Sequence, residues 1–156
     1  MSYFEFLLLV HVAGAIIGFG PTFAFAVLGP TAKKNPGPGG LAIMESMLAI
    51  SNRLVLPVAI VIQPLTGVLL IFEAGYSSTF WSQDWLVGST VLYEIAFYVS
   101  VFVQRPSLSR MIEFAKEGQA QSERFQALAK RTATMGPILT LLLVVIIIMM
   151  MLKPGA

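Results

Sequence analysis

The chain has 156 residues, 56% of them hydrophobic and only 12% charged, with a formal net charge of +2 and a mean hydropathy of +0.81. Charge at about half the usual share excludes a dispersed soluble domain and places the whole chain, residues 1–156, in a bilayer as one integral membrane domain. The absence of cysteine excludes a disulfide framework and thiol chemistry.

The first apolar run covers residues 3–28, roughly 39 Å as a helix and enough to cross a ~30 Å hydrocarbon core with tilt. It lacks a basic leading region, so it is expected to be retained rather than cleaved. It carries His11, the single histidine of the chain, with Gly14 and Gly18 following on the same helical face. The span is expected to end near Gly29 and Pro30, because residues 31–40 hold Lys33, Lys34 and a Pro-Gly-rich stretch that reads as a turn. Residues 41–50 read as a short helix leading into a second span, residues 53–72, bent at Pro57 and Pro64. A short loop follows with Tyr76, Phe80 and Trp81, then Trp85, an interfacial aromatic belt. The third span covers residues 85–103 and contains Tyr93, Glu94 and Tyr98. Residues 104–135 are the most polar segment. The spacing of Leu108, Met111, Ile112, Ala115, Phe125, Leu128 and Ala129 suits a surface amphipathic helix or helical extensions of the third and fourth spans, with a turn at residues 118–122. The fourth span covers residues 136–152 and ends in Met149, Met150 and Met151.

The expected fold is an all-α membrane protein, a bundle of four transmembrane helices. Nine of the ten Lys and Arg residues lie in the first and third connections, and only Lys153 lies on the opposite side. The positive-inside rule then puts both termini outside the cytoplasm, in a multi-pass protein of the bacterial inner (plasma) membrane. The basic residues flank spans and interleave with Glu113, Glu117 and Glu123, which is no nucleic-acid signature. The partners expected are the lipid bilayer and, as an open question, a second copy of the chain.

Depth identifies the polar residues that matter. Counted from the outer ends of their spans, His11 lies roughly 12 Å in, and Gln63 and Glu94 roughly 14 Å in. The three side chains therefore share one layer on three different spans. A charged carboxylate at a span centre costs about 3 kcal/mol on insertion scales, so Glu94 must face the bundle, be protonated or find a cation. Either it forms a proton-carrying pair with His11 or a ligand site, or it is a protonated side chain bonded to Gln63 or a backbone carbonyl. His11 has three readings: axial ligand to haem iron with Gly14 and Gly18 making room for the macrocycle, proton relay, or packing residue bonded to a neighbouring span. The Gly14-x-x-x-Gly18 spacing also fits close helix packing. The methionine triplet is a soft-ligand candidate or apolar filler. One histidine excludes a metal site built of several, and no P-loop, dinucleotide fingerprint, nucleophile elbow or HExxH motif is present, so no enzymatic reaction is assigned.

Three stretches resemble a known family. Phe-Leu-Leu-Leu-Val-His11-Val-Ala-Gly14, Gln63-Pro-Leu-Thr-Gly67 and Met151-Leu-Lys-Pro-Gly155 resemble an uncharacterised family of bacterial four-span membrane proteins, a domain of unknown function, over essentially the whole chain. That family is distantly similar to the HemJ-type protoporphyrinogen oxidases and to the CopD membrane domain. The resemblance implies haem b as cofactor and His11 as the position of the haem-ligand histidine. HemJ-type proteins carry a basic residue after a proline in the first span, whereas here Pro21 precedes Thr22. The expected site is His11, Gln63 and Glu94, with His11, Gly14 and Gly18 contacting haem b. The expected function is haem binding in a redox or porphyrin-handling role, or alternatively a cofactor-free transport or assembly component that uses an intramembrane Glu/His pair.

Overall fold

The computed structural model describes residues 1–35 and 37–155. Four helices are long and apolar enough to cross a membrane: α1 (Tyr3–Lys34), α2 (Pro38–Glu73), α3 (Asp84–Lys116) and α4 (Glu123–Leu152). With 30 to 36 residues each, they exceed the ~20 residues that a bilayer core requires. No strand occurs among the described residues.

Helix α1 opens with a capping box. Ser2 Oγ accepts from the Glu5 amide at 3.2 Å, and Glu5 Oε2 accepts from the Ser2 amide at 2.7 Å. The helix does not stop near Gly29 and Pro30. It runs through Pro21 and Pro30 to Lys34, where Lys33 and Lys34 complement the carbonyl end of the dipole. Each proline removes one backbone donor, a loss that a 32-residue helix absorbs. Nor do residues 38–40 form a turn. Pro38 occupies the first turn of α2, where a missing amide hydrogen costs nothing. A Cβ on Gly40 would collide with the carbonyl oxygens of Ala32 and Asn35, so Gly40 lets α2 start tightly against the end of α1. Pro36, part of the expected turn, lies outside the described residues.

Prolines shape α2 and α3 in a common way. Wide π-turns occupy Ser51–Val55, Val58–Ile62 and Val99–Gln104, and each ends two residues before a proline: Pro57, Pro64 and Pro106. In each case the residue just before the proline donates to the carbonyl five residues back: Leu56 to Ser51, Gln63 to Val58 and Arg105 to Ser100. A proline ring collides with the carbonyl four residues earlier, and widening the turn relieves that clash without breaking the helix. At the two prolines where a bend in α2 is expected, the helix widens into two π-turns.

The helices form a four-cornered bundle with both termini at one end. α1 packs against α2 and α4, and α3 packs against α4 and, at the far end, α2. The described core lies at the basic end, where Ala32, Met44, Met111, Ile112, Phe125 and Ala129 cluster. These residues include the apolar stripe of the polar segment, which therefore extends α3 and α4 as helix beyond their apolar stretches. Residues 117–122 form the turn between them. At the apolar level the outer surface carries large exposed hydrophobic side chains such as Ile16, Val27, Leu65 and Leu141, as a lipid-facing surface requires. At the terminal end Trp85 is buried, with Tyr76 edge-on at 5.7 Å and Lys153 Nζ 5.2 Å from its ring centroid.

Candidate functional site

His11 and Gln63 meet where α1 crosses the second half of α2. Gln63 is 6% exposed, and its Nε2 donates to the His11 carbonyl oxygen at 2.8 Å. The residue that completes the arrangement is Thr66, 5% exposed, whose Oγ1 lies 2.7 Å from His11 Nδ1. Thr66 Oγ1 also lies 2.6 Å from the Ile62 carbonyl oxygen, one turn earlier. A hydroxyl carries one proton, and the carbonyl can only accept, so that proton points at Ile62. Thr66 must then accept from His11, and the network assigns the Nδ1–H form to the imidazole.

This bond leaves Nε2 as the free end of the ring. Nε2 has no hydrogen-bond partner among the described residues. It is also not enclosed, because Gln104 Oε1 is the only buried side-chain polar atom without a partner among them. The half-buried ring rests over Gly67, with Cε1 3.5 Å from where a Cβ would stand. An imidazole held through Nδ1, with Nε2 left without a partner, is the arrangement that metal-binding histidines use.

Gly14 and Gly18 face α2. A Cβ on Gly14 would stand 2.9 Å from Ile62 Cγ2 and 3.2 Å from Gln63 Nε2, and one on Gly18 would overlap Val58. The small-residue face is therefore filled by the neighbouring helix. Gly14 specifically clears the path by which the Gln63 amide reaches α1.

Glu94 does not join His11 and Gln63. It is exposed on the outer surface of α3, and the one ion pair among the described residues is Lys116–Glu45, at 2.8 Å. Its neighbour Tyr93 points inward instead, edge-on to Phe19 at 6.3 Å, and donates its hydroxyl to the Ala59 carbonyl oxygen. That carbonyl needs an outside donor. The π-turn sends the Gln63 amide to Val58 rather than Ala59, and the next residue, Pro64, has no amide hydrogen. Tyr93 and Thr66 are the two functional-looking residues that sequence reasoning did not select. The signal for Thr66 was its place one turn after Gln63, and for Tyr93 its phenol at mid-span.

Of the methionine triplet, Met149 packs its Cε and Sδ against Gly88 and Met151 is exposed. Among the described residues no group of three or more His, Cys, Asp or Glu side chains converges on a metal-sized site.

No curated protein and no solved structure matches the chain. The sequence model of the family DUF2269, described as a predicted integral membrane protein, matches residues 5–154, and the chain belongs to that family.

Proposed function

We propose that this membrane protein binds haem b through His11 Nε2 and serves a redox or porphyrin-handling role. The observation that carries this reading is the His11 Nδ1 bond to Thr66, which fixes the ring and leaves Nε2 as an unpartnered lone pair. A bare metal ion would need several converging side chains, whereas a haem brings four nitrogen donors of its own and needs one protein imidazole. The groove at Gly14 and Gly18 does not fit a macrocycle, because Val58, Ile62 and Gln63 fill it. A cofactor would therefore have to approach the part-exposed His11 ring from a side other than that groove. The resemblance of the stretch around His11 to the HemJ-type proteins supports the same ligand. The nine basic residues at the far end of the bundle support placing that end in the cytoplasm of a bacterial inner membrane, with both termini outside.

The test is an absorption spectrum of the purified protein, oxidised and dithionite-reduced. A Soret band lost in His11→Ala is the expected result. A colourless protein from cells with ample haem supply overturns the reading.

One observation favours a second reading. Glu94 and His11 Nε2 are chemically complementary, both lack a partner among the described residues, and they lie at a similar depth on two different helices, α3 and α1. A neighbouring copy can bring them together, giving a cofactor-free transport or assembly component in which the Glu/His pair forms between protomers. The cysteine-free background makes this checkable. His11→Cys mixed with Glu94→Cys is expected to give an intermolecular disulfide under this reading and none under the first.

A further inference from the structure

A second polar feature lies at the basic end, away from His11. Helix α2 and the last turns of α3 run antiparallel there, joined by two struts. At the membrane side Arg105 Nε donates to Asn52 Oδ1 at 2.7 Å, and at the outer side Lys116 pairs with Glu45 at 2.8 Å. Between the struts is a cleft of about 310 Å³, at the lower end of the ~300–1,000 Å³ range of small-ligand sites. Leu48 and Pro106 line it with apolar surface, and Arg105, Arg110, Asn52 and Ser109 line it with donors.

Its charges are unused. The Arg105–Asn52 bond occupies Nε and aims the guanidinium, and the terminal nitrogens have no partner among the described residues. Arg110 also has none. Glu113, three residues on from Arg110, also lines the cleft but lies beyond ion-pair distance of both arginines. Two guanidinium groups on one polar cleft outnumber its single carboxylate and are not ion-paired to it, which makes a phosphate seat. The level of the cleft identifies the source of the phosphate. Arg105 follows Trp85 by 20 residues, roughly 30 Å of helix, which is the thickness of the hydrocarbon core. With Trp85 at one boundary, Arg105 lies at the headgroup level of the other leaflet.

We propose that this cleft binds the phosphate of an anionic phospholipid headgroup, with Arg105 and Arg110 on the phosphate oxygens and Leu48 and Pro106 against the lipid's glycerol end. Pro106 and the π-turn before it belong to the site, because the wide turn changes which face of α3 is presented from Arg105 onward.

The experiment compares thermal unfolding midpoints of the full-length protein in nanodiscs of phosphatidylcholine alone and with phosphatidylglycerol added. The wild-type protein is expected to gain stability from phosphatidylglycerol. Arg105→Gln with Arg110→Gln should lose most of that gain, and Lys130→Gln with Arg131→Gln, an equal loss of charge on α4, should keep it. Ser109→Asp, which keeps both arginines and puts a carboxylate between them, should also lose it and covers the case in which the arginine variant fails to fold. Equal loss in the Lys130 and Arg131 variant, or no gain in the wild type, overturns the site. Inorganic phosphate added to detergent-solubilised protein is expected to do nothing. An equal gain from it would overturn the lipid as the source and assign the cleft to a soluble phosphate.

Discussion

At the scale of single residues, one threonine decides what the only histidine can do. Thr66 has one hydroxyl proton, spends it on the Ile62 carbonyl and so turns His11 into a donor at Nδ1. Thr66→Val keeps the shape and removes the acceptor. It is expected to destabilise the α1–α2 contact by about 1 kcal/mol, in line with interhelical hydrogen bonds in membranes, and, under the proposed haem ligation, to weaken haem retention because the ring is no longer held. Thr66→Ser should restore both. Midpoints of unfolding in SDS and Soret absorbance per protein measure the two effects, and unchanged haem content in Thr66→Val would show that the threonine orients nothing that matters. Gln63 bonds the backbone of α1 rather than a side chain, so it fixes helix position and not ring chemistry.

At the scale of elements, small residues and prolines set how closely and at what angle helices meet. Gly18→Ala forces a Cβ into Val58 and is expected to destabilise by about 1–3 kcal/mol, the usual range for overpacking. Gly20→Ala, on the same helix with open space around it, should be neutral or stabilise by up to about 1 kcal/mol through helix propensity. Equal responses at the two positions would show that α1 and α2 do not pack in this register. The π-turn before Pro64 makes a sharper prediction. Tyr93→Phe leaves the Ala59 carbonyl without a donor and is expected to destabilise by about 1 kcal/mol. In a Pro64→Ala background residue 64 regains an amide hydrogen that can take over, so the same change should cost clearly less. Additive effects in this double-mutant cycle would remove the proposed link between the proline and the tyrosine.

At the scale of the whole molecule, the basic end and the terminal end differ in kind. The basic end has a small core of its own, around Met111, Ile112 and Phe125, and the membrane level is apolar on the outside with a few specific polar contacts between helices. Orientation is testable directly because the natural chain has no cysteine. Ser78→Cys, in the aromatic loop, should react with an impermeant maleimide on intact spheroplasts, and Gln121→Cys, in the basic turn, only after permeabilisation. The reverse pattern would invert the bundle and move the phosphate cleft to the outer leaflet.

Hydropathy and charge alone determined that this chain is a membrane protein with four helices long and apolar enough to cross a bilayer, because a helix satisfies the backbone of such apolar runs from within the segment. The same reading placed His11, Gln63 and Glu94 at one depth, since rise per residue is a property of the helix itself. What it could not determine is azimuth, the direction each side chain faces around its helix axis. Three π-turns reset that direction along α2 and α3, and they arise from the clash of a proline with a particular carbonyl rather than from any pattern of apolar spacing. Helix ends were misjudged at residues 29–34 and 38–40 for a related reason: Pro30 is absorbed inside α1, and Pro38 and Gly40 are accommodated by the first turn of α2 and by its close approach to α1, which only the packed pair makes favourable. Only the tertiary structure decided that Gln63 and Thr66 reach His11 while Glu94 faces outward, because that depends on which helix faces fit together.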